Sequence, residues 1–368
     1  MDVAKDYGLG VGRPDLASVG PIAFGPADVL LVADNVKARV VALDVADPAP
    51  AGTGAPFDLE ELDTRLSAFL GCPADDVIVK DMAVHPRTSN VYLAVMRGPG
   101  SEAIPLILRI DHRDATLAEV PIEEIACSEA SISNAPAVDD PRTDFRFTEP
   151  PEGEEFERGG RKFRIARPTA RTSTITDLAY VDGTVLVAGM SNEEFSSNLR
   201  RIAFPFTGEA SDNSLEIFHV SHGQWETAAP IRTFVPFDGG SSILASYTCT
   251  PLVHFPLGDL TDGAQARGRT VAELGAGNQP LDMVPFRQDG REFLLICHST
   301  HPVMKIDATS IAEQEPLTSP KEPTGVPRDA LDLPRTTMLA NLNADYVLAM
   351  QRDATGHRHL RSLKTASL

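Results

Sequence analysis

Cysteine is scarce in this 368-residue chain, which has four (Cys72, Cys127, Cys249 and Cys297), widely scattered and with no CxxC pair. So few thiols in so long a chain exclude a disulfide framework, and the missing CxxC excludes a zinc knuckle. Aromatic residues make up only 6% of the chain. No apolar run approaches the roughly 20 residues that cross a bilayer, so no membrane span is expected. The opening stretch MDVAKDYGLGVGRPDLASVG lacks the basic start, apolar segment and cleavage site of a secretory signal. Two compartments remain open, the cytoplasm or export with the signal trimmed. Positive charge is also in deficit, with 33 Lys and Arg against 52 Asp and Glu and a formal net charge of -19. Nucleic-acid binding needs a positive surface that releases counterions, so nucleic acids are not expected partners. Walker, GxSxG and HExxH motifs are absent, which removes the commonest nucleotide, serine-hydrolase and metalloprotease readings.

What is abundant is repetition. Six short apolar runs superimpose: VLLVADN from Val29, VYLAVMRG from Val91, TVLVAGMSN from Thr184, SILASYTCT from Ser242, EFLLICHST from Glu292 and DYVLAMQRD from Asp345. Each is followed by a second apolar run and preceded by a strand-like segment, at Pro21, Asp81, Asp177, Arg232, Asp282 and Thr337. Strand, turn, strand, turn, strand is an antiparallel meander. Repeated six times at roughly 50 residues, it predicts an all-β, six-bladed β-propeller spanning 1–368 as a single domain.

Two insertions interrupt the rhythm. DLEELDTRLSAFLG (58–71) carries Leu59, Leu62, Leu66, Phe69 and Leu70 at helical spacing and stops at Gly71, which predicts a surface helix between blades one and two. Residues 127–172 are rich in Pro, Gly and charge and are expected to be irregular; a seventh blade hidden there is the alternative. Little chain follows the last repeat, so its blade lacks an outer strand. Because an open edge exposes unpaired backbone groups, residues 8–19 are expected to close the ring beside the C-terminal strand.

In a propeller, ligands bind where the blades converge, and a residue's place in the repeat is its address. The inner-strand anchors bring Asp81, Asp177 and Asp282 together with Arg232. Three carboxylates that close repel one another unless a cation or Arg232 compensates, which points to a divalent metal held by oxygen ligands, such as calcium. Alternatively, the aspartates hydrogen-bond to backbone amides of neighbouring blades and brace the ring. The ends of the second strands add Glu193, Cys249, Cys297, His298 and His301. Cys249 with His298 and His301 would suit zinc or copper. Cys297, following an apolar run, also fits a small buried hydrophobe. His219 and His222 form an HxxH pair, but a spacing of three on a strand puts them on opposite faces unless a turn intervenes.

DMAVHPRTSNVYLAV, from Asp81, resembles the repeat of NHL-type and SMP-30/gluconolactonase-like six-bladed propellers. The SMP-30 resemblance implies one divalent metal at the channel mouth and hydrolysis of lactones or related esters. By position it would place Asp81, Asp177 and Asp282 at that metal, although the family's Glu/Asn/Asn/Asp ligand set does not map residue by residue.

Two functional readings follow. In the first, a monomeric enzyme uses a metal at the mouth to act on a small, anionic substrate, by lactonase-like hydrolysis or copper-type redox chemistry. Asp177 or Glu193 would be the base and Arg232 the substrate anchor. In the second, the propeller is non-catalytic and binds a peptide or protein through its face.

Overall fold

The computed structural model describes residues 3–148, 153–158, 160–208, 210–320 and 324–368. The chain is a β-propeller. Its inner strands are Ile22–Phe24, Val77–Val84, Asp177–Val181, Thr233–Phe237, Pro280–Gln288 and Arg335–Asn341, each starting a separate sheet, antiparallel throughout except where Ser211–His219 pairs in parallel with Gln265–Arg267. These sheets are blades 1 to 6 in chain order. Second strands such as Leu30–Asp34 and Ser242–Ser246 are buried along their whole length. A strand sandwiched between neighbouring blades has no solvent face, so it reads as a continuous apolar run rather than an alternating one.

The blades do not follow one another around the ring. The inner strand of blade 1 lies beside those of blades 2 and 3, and the inner strand of blade 2 beside that of blade 6. The circular order is therefore 1, 2, 6, 5, 4, 3, with the first two blades exchanged relative to a simple progression. The hydrophobic cores between blades repeat this order. Leu30, Val32, Tyr92 and Ile107 join blades 1 and 2; Leu93, Leu108, Leu348 and Met350 join blades 2 and 6. Val29, Leu31, Val185 and Val187 join blades 1 and 3. After completing blade 2 the chain returns to blade 1 and adds Ile125–Ser131 as its fourth strand, paired with Arg39–Leu43.

That return corrects the expected closure of the ring. The N-terminal strand Gly10–Gly12 pairs with Ile125–Ser131 on the outside of blade 1, not with the C-terminal strand. The edge of blade 6 still needs cover, and the segment around the first insertion supplies it. Leu59 and Leu360 exchange both backbone hydrogen bonds, at 3.0 and 2.9 Å. Ser362 Oγ accepts from Phe57 N at 2.6 Å and donates to Phe57 O at 2.8 Å. Helix Leu62–Leu70 then packs against the last strand, burying Leu62 and Leu66, and ends at Gly71 with a φ of 65°, a conformation that favours glycine. Edge avoidance operates as expected, through a different segment, because blade 2 stands next to blade 6. Ser362→Ala is expected to lower stability by about 0.5–1.5 kcal/mol in urea denaturation, the worth of the hydroxyl's bonds to Phe57.

Residues 127–172 are not irregular throughout. They begin inside the fourth strand of blade 1 and later form a small sheet of Arg146–Phe147, Glu154–Arg158 and Arg161–Ala166. Among the described residues this sheet has three strands and contributes no inner strand to the ring, which makes it an appendage.

Candidate functional site: the channel mouth

The inner strand of every blade is a sheet edge, and its amides that face the neighbouring blade have no ladder partner. Buried N–H groups left that way cost free energy, so something must accept from them. Asp81, Asp177 and Asp282 do so. Asp81 accepts from Met82 N in its own strand at 2.8 Å and from Ile22 N of blade 1 at 2.7 Å. Asp177 accepts from its own Leu178 N at 2.8 Å and from Phe234 N of blade 4 at 2.7 Å. Asp282 accepts from its own Met283 N and from Leu339 N of blade 6, both at 2.7 Å. Each carboxylate thus gives one oxygen to its own strand and the other to the next blade. Three side chains satisfy one amide in each of the six inner strands and link the blades in pairs, 2 with 1, 3 with 4 and 5 with 6.

Their setting is hostile to charge. Burial pushes Asp81 up to about 7 against the pull of its two amides. Burial, assisted by the negative charge of Asp81, likewise pushes Asp177 up to about 7, and Asp282 is raised well above the usual carboxylate range. All three carboxyls are raised because they stand deep in the ring and near one another.

Above them opens a cavity of ≈ 390 Å³, lined by the three aspartates, Lys80, Arg146, Arg232, Arg352 and Arg358 among others. Arg232 is not available to a ligand. Its Nη1 donates to Asp144 Oδ2 at 2.7 Å, its Nη2 to Asp144 Oδ1 and to Phe145 O at 2.9 Å, and its Nε to Thr248 Oγ1 at 3.0 Å. Both members of the pair are buried. Ser173 Oγ donates a further bond to Asp144 at 2.7 Å, and Gln279 Oε1 accepts from Phe147 N at 2.9 Å. Burial alone would raise the Asp144 carboxyl, but the charge and hydrogen bonds of Arg232 outweigh it and hold the group below its ordinary value. The pair fastens the appended segment over the mouth.

The remaining candidates do not converge. Glu193 lies in an exposed loop of blade 3, where Oε2 accepts from Ser214 Oγ at 3.0 Å, and it is not among the residues lining the cavity. Cys297 is fully buried and its thiol is pushed up, first by burial and then by the charge of Asp282, so it is a small core residue. His298 is also buried, which lowers it to about 4, and its Nδ1 meets Pro302 O at 3.0 Å. Among the described residues Cys249 groups with His219 and His222, not with His298 and His301. The HxxH pair, expected on opposite faces unless a turn intervenes, supplies the two histidines. His219 ends its strand and a turn through Gly223, at a φ of 65°, brings His222 back beside it, so the opposite-face rule for strands does not apply.

These contacts overturn the reading of the mouth as a metal-assisted enzyme for a small anionic substrate. The proposed oxygen ligands hold the ring together, the proposed substrate anchor holds Asp144, and the proposed base Glu193 sits elsewhere. A small-molecule substrate therefore loses the groups that were to bind and transform it.

No protein-family model matches this chain, and no curated protein matches it. Solved structures similar to it include a mitotic checkpoint complex, with 9% identity and a TM-score of 0.39 over 97% of this chain and 91% of that one. Others are the Myceliophteria thermophila Cps50 (Swd1) β-propeller domain, with 10% identity and a TM-score of 0.37 over 94% and 84%, and the RRP9 WD40 repeats, with 10% and 0.36 over 97% of each chain.

Proposed function

We propose that this propeller is a non-catalytic binding module that engages a peptide or protein partner through the face carrying the channel mouth. The observation that supports it most is the commitment of the channel's ionisable groups to the ring. Asp81, Asp177 and Asp282 commit their oxygens to backbone amides and Arg232 commits its guanidinium to Asp144, Phe145 O and Thr248, which is the chemistry of a scaffold. Residues of all six blades meet around the mouth, and its rim carries Lys80, Arg146, Arg352 and Arg358 together with Asp63 and Asp75. A rim that carries both signs suits a polar segment of the partner whose charges complement it. The six-blade count supports an architectural likeness to NHL and SMP-30 type propellers, without lactonase chemistry.

The test places a photo-crosslinking residue at Met338, which lines the mouth, or at Asp289, in a turn on the opposite face, within cells of the native host. A discrete protein adduct is expected from position 338 alone, and it should weaken about tenfold or more when the rim charge is reversed by Lys80→Glu. Adducts from position 289 only, or from neither, would contradict the proposal.

A further inference from the structure

The best-built polar constellation outside the channel lies between blades 3 and 4. His219 closes the strand Ser211–His219, His222 stands in the following turn, and Cys249 sits in the turn between the second and third strands of blade 4. The fourth strand of a blade runs in the same direction as the second, so all three lie on the face of the mouth. One donor atom from each falls within 4.8 Å of the other two. The Cys249 turn is held in place, with Cys249 N donating to Asn278 O at 2.7 Å and Thr250 Oγ1 to Gly275 O at 2.9 Å.

A carboxylate fixes how the two rings present themselves. Glu226 accepts from His219 Nδ1 at 2.8 Å and from His222 Nδ1 at 2.6 Å. A carboxylate accepts from an N–H, so this geometry puts a proton on each Nδ1 and leaves Nε2 as the atom that a neutral imidazole offers to a metal. His219 Nε2 is buried and makes no hydrogen bond, although a buried polar atom normally has one. The nearest carboxylate to it, Glu273 Oε1, lies 3.7 Å away and is itself buried. That separation is close to the edge of a zinc tetrahedron, about 3.4 Å for bonds of about 2.1 Å. Histidine held through Nδ1 by a carboxylate is the usual outer support of a zinc ligand.

We propose that Nε2 of His219, Nε2 of His222 and Sγ of Cys249 bind a zinc ion that clamps blade 3 to blade 4, with Glu273 in reach as fourth ligand and Glu226 orienting both rings. Binding forms a zinc–sulfur bond and breaks the S–H bond of Cys249, whose proton leaves to water; both imidazoles bind as neutral rings. His222, half exposed, gives the ion its entry path.

The experiment titrates chelator-treated protein with zinc in calorimetry and with cobalt(II) in absorption. One ion per chain is expected, with the thiolate-to-cobalt charge-transfer band and tetrahedral d–d bands. Affinity should fall by about 100-fold or more in His222→Ala and Cys249→Ser and by about 10- to 100-fold in Glu226→Gln, with the fold intact by circular dichroism. His222 is at the surface, so its variant tests the site even if Cys249→Ser unfolds. Zinc binding that survives His222→Ala, a cobalt spectrum without thiolate, or only the weak uptake expected of an acidic surface would each overturn the assignment.

Discussion

Arg232→Met is expected to lower the unfolding free energy by about 3–5 kcal/mol, because it leaves the Asp144 carboxylate buried without its counter-charge. The loss is measured as a shift of the urea midpoint. Its pH dependence follows from the wild-type pair. Asp144 is held below its ordinary 3.8, so the stability it contributes is present above that value and is lost as the pH falls through the depressed one. The variant's deficit should therefore be large at pH 7 and shrink in acid. Arg232→Met combined with Asp144→Leu should recover much of the loss, since the uncompensated charge is then gone. A deficit below about 1 kcal/mol at pH 7 would show that the pair does not fasten the appended segment to the ring.

Asp177→Ala removes the acceptor for two amides, Leu178 N and Phe234 N, and each orphaned donor costs about 1–3 kcal/mol. Here the pH dependence has the opposite sign. The folded-state carboxyl is raised to about 7 from 3.8, so its contribution is fully present below 3.8 and is lost as the pH rises through about 7. Wild type pays for a charge above neutrality that the alanine variant never carries. The deficit of Asp177→Ala should thus be greatest near pH 4 and smallest at pH 8, measured by thermal or denaturant unfolding across that range. Contrary slopes for Arg232→Met and Asp177→Ala distinguish a carboxylate stabilised by its neighbour from one tolerated for its hydrogen bonds.

Much of the ring was legible because blade grammar is local. The apolar second strands and the segments before them correspond to real strands, and the position of Asp81, Asp177 and Asp282 in inner strands was enough to bring them to one channel. Their role was harder to read. Metal binding and amide bracing use the same residue type at the same address, and only the position of Ile22, Phe234 and Leu339 across each blade boundary separates them. Arg232 was placed at the mouth, but its partner lies 88 residues earlier, in a segment whose composition reads as loop. The helical spacing of Leu62 and Leu66 was visible, whereas its docking on blade 6 was not, because repeats identify blades without saying which stand side by side. The exchange of blades 1 and 2 is a property of packing between sheets. Edge avoidance correctly required cover for the last strand, but two segments could provide it, and proximity in the folded ring decided between them.

Hydrogen exchange at single amides tests the bracing of the channel most directly. Ile22, Phe234 and Leu339 should be strongly protected, and each should be released selectively when only its own partner, Asp81, Asp177 or Asp282, is changed to alanine. Rapid exchange of these three amides in the unaltered protein, or protection indifferent to the aspartates, would contradict the account.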